Sequence, residues 1–476
     1  MRNINNMTST MVVFLLLTYS HAAANGIWPD TGQTNCYDAT ISMPCPNNGQ
    51  PFYGQDAQHL GPQPSYTKLD ENGAPLLDSV EIWSMVRDNV TELTWEAKTD
   101  DNTIHDKDAR YSWCDSSAQN PGLCGGENNT EFFINSLNAA MFGGYNDWRL
   151  PTILELATLL HSGTENPAIN TTFFPNTSAV SELLFIDYWS STDEAGNDSY
   201  AWYVDFGDRG TVPLFITVSS SSKNSPLRSR AVRGGTDSIP NTYTDNQDGT
   251  VTDTGTGLMW QQDPSLTTDG ISGLDSHNWE SALGYVARLN LIGFAGHSDW
   301  RLPNRNELQS LVDYSRNIPV NTDFFPTPPP NYPWWSSTTT HGMTINAWTI
   351  DFTTGESHDC SKQTCGGNVR AVRTYTAFTL SVALAGNGSG KITSIPAGIS
   401  CGTDCSEQYD SDTTVSLTAT ADTDSVFTGW TGACLGTGLC PLTMNKSRSV
   451  TANFINPYSA NKSLPPMYLL LLNNTP

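Results

Sequence analysis

The stretch Asp147-Trp148-Arg149-Leu150-Pro151 recurs as Asp299-Trp300-Arg301-Leu302-Pro303, and this repetition decides how the chain is organised. Five further landmarks return around the two copies in one order. They are an apolar strand that ends in Trp (Trp95, Trp260), Phe-Phe-Pro (Phe173, Phe324), Trp-Ser-Ser-Thr (Trp189, Trp335), Ala-Trp-x-x-Asp-Phe (Ala201, Ala347) and Arg-Ala-Val-Arg (Arg230, Arg370). Six landmarks in a shared order predict two copies of one domain.

The length of 476 residues exceeds what a single hydrophobic core usually holds, so several domains are expected. We expect the first copy at residues 67–235 and the second copy at 236–376. A small all-β module is expected at 377–455, followed by a tail at 456–476. Residues 25–66 are rich in Gly, Pro, Asn and Gln, which predicts an irregular extension stapled by a disulfide.

Residues 1–24 have the pattern of a secretion signal. Arg2 supplies the positive charge, Met11 to Leu17 is apolar, and Ala22-Ala23-Ala24 offers a cleavage site. Neither this run nor the apolar run from Met467 to Leu472 is long enough to cross a bilayer. The sequence therefore predicts an exported protein, periplasmic, at the outer surface or secreted, without a transmembrane span in the mature chain.

The ten cysteines fall into five close pairs: Cys36 with Cys45, Cys114 with Cys124, Cys360 with Cys365, Cys401 with Cys405, and Cys434 with Cys440. An even number in an exported chain favours disulfides, although the sequence alone leaves the connectivity open. We expect local pairing, because each pair lies within one loop or hairpin. Zinc is the alternative, but there is no Cys-x-x-Cys knuckle and no His at ligand spacing, so no metal site is predicted.

The net charge of −25 argues against nucleic acid and anionic membrane surfaces as partners. Enzyme signatures are also poor. Gly386 to Lys391 imitates a phosphate loop but lacks its Ser or Thr, and we interpret it as a hairpin turn. No Gly-x-Ser-x-Gly elbow or His-Glu-x-x-His motif occurs. The sequence thus predicts no catalytic residues and no cofactor.

Each copy is expected to be α+β with a mostly antiparallel sheet, because strands are followed by two helices and then by further strands. Helices are expected at residues 128–141 and 152–161 of the first copy. In the second copy they are expected to begin at Asn278 and at Pro303. Residues 369–372 are expected to form the closing strand, and Tyr111 to Gly126 is interpreted as an insertion in the first copy.

Two interpretations are open for the repeated Trp-Arg. Trp148 with Arg149, and Trp300 with Arg301, could form a platform for a sugar ring. Alternatively, each Trp is buried and each Arg pairs with the carboxylate six residues later, Glu155 or Glu307. We favour the second interpretation, because a core joint requires such a segment before a helix. Asp205 and Asp351 are the expected partners of the Arg-Ala-Val-Arg arginines.

The tandem Trp-Arg-Leu-Pro, Trp-Ser-Ser-Thr, Ala-Trp-x-x-Asp-Phe and Arg-Ala-Val-Arg motifs resemble the Lcl C-terminal domain family, named for a bacterial collagen-like adhesin. The resemblance covers residues 30–376 and implies a fold similar to C-type lectin-like domains. Residues 378–454 are similar to internalin-type B repeats through Gly429 to Cys434 and Val450 to Phe454. The adhesin that names the family binds sulfated glycosaminoglycans, whereas the acidic excess here argues against that ligand class.

Together these features predict two tandem C-type-lectin-like domains and a small all-β C-terminal module, in an exported bacterial binding or adhesion protein. An extracellular glycan or a surface protein is the expected partner. Two alternatives stay open, namely an enzyme on a lectin-like fold related to formylglycine-generating oxidases, and a structural envelope protein without a small ligand. We expect weak or absent binding to heparin-like polymers. If a basic patch existed, it would comprise Lys223, Arg228, Arg230 and Arg233.

Overall fold

The computed structural model describes residues 28–164, 167–177, 186–207, 216–235, 242–265, 270, 272–325, 332–411 and 413–457. The expected signal peptide and nearly all of the expected tail lie outside these residues. Strands dominate: 34% of the described residues lie in strands and 11% in helices. Within the described ranges, no helix combines the length and the hydrophobicity that a bilayer crossing needs.

The first copy follows a short two-stranded ribbon in the extension, β1 (Cys36–Tyr37) with β2 (Ser42–Met43). Its strands are β3 (Tyr66–Leu69), β4 (Met85–Asp88), β5 (Thr94–Glu96), β6 (Asp187–Asp193), β7 (Tyr200–Asp205), β8 (Ile216–Ser222) and β9 (Val232–Arg233). Its helices are α1 (Thr130–Ala139) and α2 (Ile153–Ala157). Strands β3, β4, β5 and β9 form one antiparallel sheet.

The second copy repeats this plan. Its strands are β10 (Tyr243–Asp245), β11 (Thr250–Asp253), β12 (Leu258–Gln261), β13 (Trp334–Thr339), β14 (Asn346–Ile350), β15 (Ser357–Ser361) and β16 (Val372–Thr374). Its helices are α3 (Trp279–Ile292) and α4 (Arg305–Gln309). Strands β10, β11, β12 and β16 form the sheet that corresponds to β3-β4-β5-β9.

The second helix of the first copy is shorter than predicted, and that of the second copy begins later than predicted. In α2, the amide of Leu159 bonds the carbonyl of Leu156, which is the tighter i to i+3 spacing that ends a helix. In α4, Asn304 rather than Pro303 is the N-cap, because its side chain accepts the amide of Glu307. The expected closing strand is displaced as well: it begins at Val372, where residue 372 pairs with Trp260.

Strands from both copies form one six-stranded sheet, in the order β13-β14-β15-β8-β7-β6. The two copies meet where β15 pairs with β8 in antiparallel orientation, with Ser357 opposite Val218. Beside this seam the ring of Trp202 meets that of Tyr314 edge to face, with centroids 4.7 Å apart. Apolar residues of both copies also form one continuous core. The pair is therefore a single folded unit. The sequence had instead predicted a separate sheet in each copy.

The C-terminal module is all-β, as expected. Its strands are β17 (Ala377–Gly386), β18 (Gly390–Ile395), β19 (Ser400–Cys401), β20 (Ser406–Asp410), β21 (Thr414–Ala421), β22 (Val426–Gly432), β23 (Cys440–Thr443) and β24 (Arg448–Ile455). They form two sheets, β20-β17-β24-β22 and β19-β18-β21-β23. The predicted hairpin turn after Gly386 is wrong in one respect. It joins strands of different sheets, because β17 pairs with β24 and β20 rather than with β18.

Candidate functional site

The repeated tryptophans belong to the core and do not form a ligand platform. Trp148 and Trp300 are each 2% exposed. The Asn138 side chain bonds both the amide and the carbonyl of Trp148, at 2.8 and 2.9 Å, and Asn290 does the same for Trp300. Each motif is therefore fixed to the end of the preceding long helix.

The arginine of each Asp-Trp-Arg-Leu-Pro motif forms a bidentate ion pair with the carboxylate six residues later. Arg149 donates to both oxygens of Glu155 at 2.6 and 2.7 Å, and Arg301 donates to both oxygens of Glu307 at 2.5 Å. The same glutamates close the capping boxes of α2 and α4. The two pairs differ in burial, since 26% of the Arg149 side chain is exposed against 9% for Arg301.

The predicted partners of the Arg-Ala-Val-Arg arginines, Asp205 and Asp351, are wrong. The last arginine of each motif instead binds the aspartate of Asp-Trp-Arg-Leu-Pro, because the closing strand lies beside that segment. Arg233 binds Asp147 at 2.8 Å, and Arg373 binds Asp299 at 2.7 Å. The first arginines are buried: Arg230 donates to the Glu96 carbonyl and Arg370 to the Gln261 carbonyl.

The residues from Tyr111 to Gly126 are not simply an insertion, because Trp113 occupies the place that Trp279 takes in the second copy. Each indole N–H donates to a strand carbonyl at 2.9 Å, that of Ser190 or Ser336. The ammonium groups of Lys223 and Lys362 lie 4.1 and 4.2 Å from these rings. The sequence landmarks missed this correspondence, since Trp113 lies in a loop and Trp279 opens a helix.

Each of these lysines is capped by a backbone carbonyl from a disulfide-closed loop. Lys223 donates to the Asn120 carbonyl at 2.7 Å, inside the Cys114–Cys124 loop. Lys362 donates to the Asp38 carbonyl at 3.0 Å, inside the Cys36–Cys45 loop of the extension. The extension thus completes the second copy as residues 114–124 complete the first.

The extension is firmly docked on the second copy. The carboxamide of Gln33 donates to the Thr339 carbonyl at 2.7 Å and accepts the Thr339 amide at 3.0 Å. Asp56 accepts the hydroxyls of Thr31 and Thr338, both at 2.6 Å. Phe52 also stacks on the ring of Trp279. These contacts make the extension part of the folded unit.

Docking of the extension creates a cleft of about 340 Å³ between it and both copies. The first copy contributes the loop after α2, and the second copy contributes the loop after β13. The cleft is lined by Gly32, Gln33, Thr34, Asn35, Tyr37, Gln63, Pro64, His161, Ser162, Gly163 and His341. None of these side chains is a carboxylate or an ammonium group. The lining offers hydroxyl, carboxamide and imidazole groups, which are suited to hydrogen bonding without charge.

His161 is held in a defined state at this cleft. Its Nδ1 atom accepts the amide of Gly163 at 3.1 Å, so the proton of the neutral ring lies on Nε2. Burial lowers the pKa of His161, and His341 lowers it further, so the ring is uncharged at neutral pH. The ring packs on Gly32, where φ is +77° and a Cβ atom would lie 2.5 Å from Nε2. Only glycine fits there.

An excess of buried acid lies where the extension packs against the second copy. Asp30 and Asp56 approach the Arg301–Glu307 pair, so three carboxyl groups share one guanidinium. Burial, and then the charge of Asp30, raise the pKa of Asp56 to about 7. Burial, and then the charge of Arg301, lower the pKa of the neighbouring His59 to about 4.

The stability contributed by Asp56 is expected to fall as pH rises from about 4 to 7. Folded Asp56 retains its proton up to about pH 7, whereas an unfolded aspartate releases it near pH 3.9. Between these values the folded state binds more protons, so its free energy of unfolding decreases with pH. The lowered pKa of His59 makes its contribution to the free energy of unfolding rise with pH over part of this range. The measurement must therefore isolate the contribution of Asp56.

The measurement is the unfolding free energy of the wild type and of Asp56→Asn at several pH values below 7. We expect the variant to gain stability relative to the wild type as pH rises, by an amount on the order of a few kcal/mol. The window ends at pH 7 because burial lowers the pKa of Lys362 to about 7, which adds a separate effect above it. A difference between the two proteins that does not vary with pH would contradict the assignment.

The cysteines offer no thiolate for metal binding or catalysis, because all ten are bonded in the five local pairs that were predicted. The cluster of Cys114, Cys124 and Glu131 is therefore a disulfide beside a carboxylate. The four residues named above for a possible basic patch, Lys223, Arg228, Arg230 and Arg233, do not form a basic surface. Lys223 and Arg228 are 2% exposed and Arg230 is 1% exposed, while Arg233 pairs with Asp147.

Comparisons with protein families identify both copies and the C-terminal module. Residues 84–233 and 249–373 match the Lcl C-terminal domain, and residues 380–456 match the divergent InlB B-repeat domain. Both are adhesin-like, non-enzymatic families. A comparison with curated proteins found no significant match. Because the two tandem matches span more than half of the 476 residues, the chain belongs to the Lcl C-terminal domain family.

Proposed function

We propose that this protein is an exported adhesin whose cleft binds a neutral glycan. The observation that carries the proposal is the cleft lining, eleven residues without a carboxylate or an ammonium group, on a chain with a net charge of −25. A sugar presents hydroxyl groups that both donate and accept, and the amide, hydroxyl and imidazole groups of the lining complement them. The cleft volume lies within the usual range for small-ligand sites.

Polyanionic glycans fit this molecule poorly. They require basic side chains clustered on the surface, and the four residues named above for a possible basic patch are buried or paired. Long-range repulsion from the acidic surface opposes their approach, most strongly at low salt. The ligand class of this chain is therefore proposed to differ from the sulfated polymers that the family's name-giving adhesin binds.

Export and a lectin-like arrangement are part of the same proposal. Five disulfides in one chain are typical of an oxidising compartment, and residues 1–24 have the pattern of a secretion signal. We propose that the pair of copies adopts a C-type-lectin-like arrangement in which loops at one end of the shared sheet form the cleft. The expected domain limits, 67–235, 236–376 and 377–455, are proposed as the units of this protein.

Two variants of His161 test the proposed cleft. A glycan array probed with the mature chain first identifies a neutral ligand. In His161→Asn the side-chain oxygen can still accept the Gly163 amide but the Nε2–H donor is lost, whereas His161→Gln keeps a donor near that position. We expect about tenfold weaker binding for His161→Asn and a smaller loss for His161→Gln, because a ligand oxygen is left without its donor. Equal affinity of both variants and the wild type would place the ligand elsewhere.

A further inference from the structure

The two edge strands of the six-stranded sheet, β13 and β6, differ in whether the backbone of the last residue is hydrogen-bonded. At one edge, the end of strand β13 is covered, because the Gln33 carboxamide bonds both the amide and the carbonyl of Thr339. At the other edge, strand β6 holds the equivalent residue, Asp193, whose pairing with Ala201 repeats that of Thr339 with Ala347. The described residues of the extension reach only the first of these two edges.

The backbone of Asp193 points outward just as that of Thr339 does. The amide of Thr340 bonds the Asn346 carbonyl of the neighbouring strand, so the groups of Thr339 face away from that strand. The amide of Glu194 bonds the Tyr200 carbonyl in the same way, which turns the groups of Asp193 outward. Within the described ranges, neither the amide nor the carbonyl of Asp193 forms a hydrogen bond.

A third contact of the extension is matched at the open edge. The carbonyl of Thr31 accepts the amide of Ser162, in the loop that follows α2. The corresponding residue after α4 is Tyr314, and its amide has no hydrogen-bond partner among the residues that the structure covers. The loop of Tyr314 reaches the end of β6, since a Cβ atom on Gly196 would lie 2.6 Å from the Asn317 side chain.

The outward amides of Trp189 and Ser191 in β6 already bond the carbonyls of Arg228 and Pro151, so only the end of the strand, at Asp193, is open. We propose that this open end of β6 is a docking site for an extended peptide segment of a partner protein. The segment binds as residues 29–33 of the extension bind at the end of β13, where they contact Thr339 of the second copy and Ser162 of the first. A Gln side chain pairs with the amide and carbonyl of Asp193, and a carbonyl two residues earlier accepts the Tyr314 amide. The chain's own extension is the template for the partner, because it already satisfies the same three groups at the other edge.

Two differences define the chemistry of the partner further. Thr192 presents a hydroxyl where Thr338 donates to Asp56, so an acidic group beside the segment is accommodated. Leu154 stands where Asn306 donates to the Pro29 carbonyl at 2.9 Å, so that one contact is missing. The open site therefore binds such a segment more weakly than the covered site holds the extension, which suits a reversible interaction.

The direct test uses a synthetic peptide with the sequence of residues 28–35, which contains Gln33 but no cysteine. Its affinity for the full mature chain is measured by calorimetry and compared with that of a peptide carrying Gln33→Ala. We expect one bound peptide per chain, and about tenfold weaker binding of the altered peptide. Absence of binding, or equal affinity of the two peptides, overturns the proposal.

A matched pair of protein variants locates the site. Asp193→Asn and Asp193→Pro both remove the carboxylate that binds Lys223 at 2.7 Å, but only proline lacks the outward amide. Proline is tolerated where an edge-strand amide faces solvent. We expect about tenfold weaker peptide binding for Asp193→Pro than for Asp193→Asn. Equal binding by the two variants means that the peptide has merely displaced the chain's own extension, which also overturns the proposal.

Discussion

Replacing Arg301 by alanine is expected to lower the free energy of unfolding by about 3–5 kcal/mol, because the substitution strands a buried carboxylate. Only 9% of the Arg301 side chain and 12% of the Glu307 side chain are exposed. Asp30 and Asp56 lie near the same guanidinium, so its removal leaves three carboxyl groups without a cation. Denaturant unfolding of the wild type and the variant measures the effect.

Arg149→Ala is the matched control, since it makes the same change in the first copy. About a quarter of the Arg149 side chain is exposed, and water screens part of the charge that is left behind. We expect a loss roughly half as large as that of Arg301→Ala. Wild-type stability of Arg301→Ala combined with lost ligand binding would show that the arginine serves a site rather than the core.

The C-terminal module is expected to lose about 4 kcal/mol of stability when its two disulfides are removed. Cys401–Cys405 and Cys434–Cys440 close loops with sequence separations of 4 and 6. Loops of this size restrict the unfolded chain by about 2 kcal/mol each. The module is small, and its hydrophobic core contains only its own residues. Its stability therefore depends strongly on the two disulfides. Cys→Ala replacement of all four residues is the change to make, with hydrogen exchange across residues 377–455 as the measurement.

The matched control removes Cys360–Cys365, which closes a loop of similar size in the second copy. That copy shares a continuous core with the first, so exchange protection in residues 377–455 should stay at its wild-type level. We expect the four-alanine variant to lose exchange protection in the C-terminal module first. If the two copies lost protection while the module kept it, this expectation would be contradicted.

The sequence predicted the parts of this fold that depend on neighbours along the chain. Arg149 with Glu155 and Arg301 with Glu307 lie six residues apart across a helix start, so spacing and capping chemistry indicate the pair. The five disulfides span at most ten residues. The two copies were found because their landmarks recur in one order.

The remaining features depend on contacts between distant segments, which leave no local pattern. Gln33 and Thr339 are 306 residues apart, and a Gln in a polar, irregular stretch gives no sign that it will cover a strand edge. The pairing of β8 with β15 joins the two copies. Within its own copy, each of these strands would be predicted to lie at the edge of the sheet. The cleft was missed for the same reason, since its lining comes from three separate parts of the chain.

The most direct test of the account is the salt dependence of binding, measured by calorimetry with a neutral glycan selected on the array and with heparin. The uncharged cleft predicts that affinity for the neutral glycan changes little between about 0.05 M and 0.5 M salt, because no ion pair is screened. It also predicts no measurable heparin binding at the lower concentration. Tight heparin binding at low salt that disappears as salt rises would contradict the account and would reveal a basic surface.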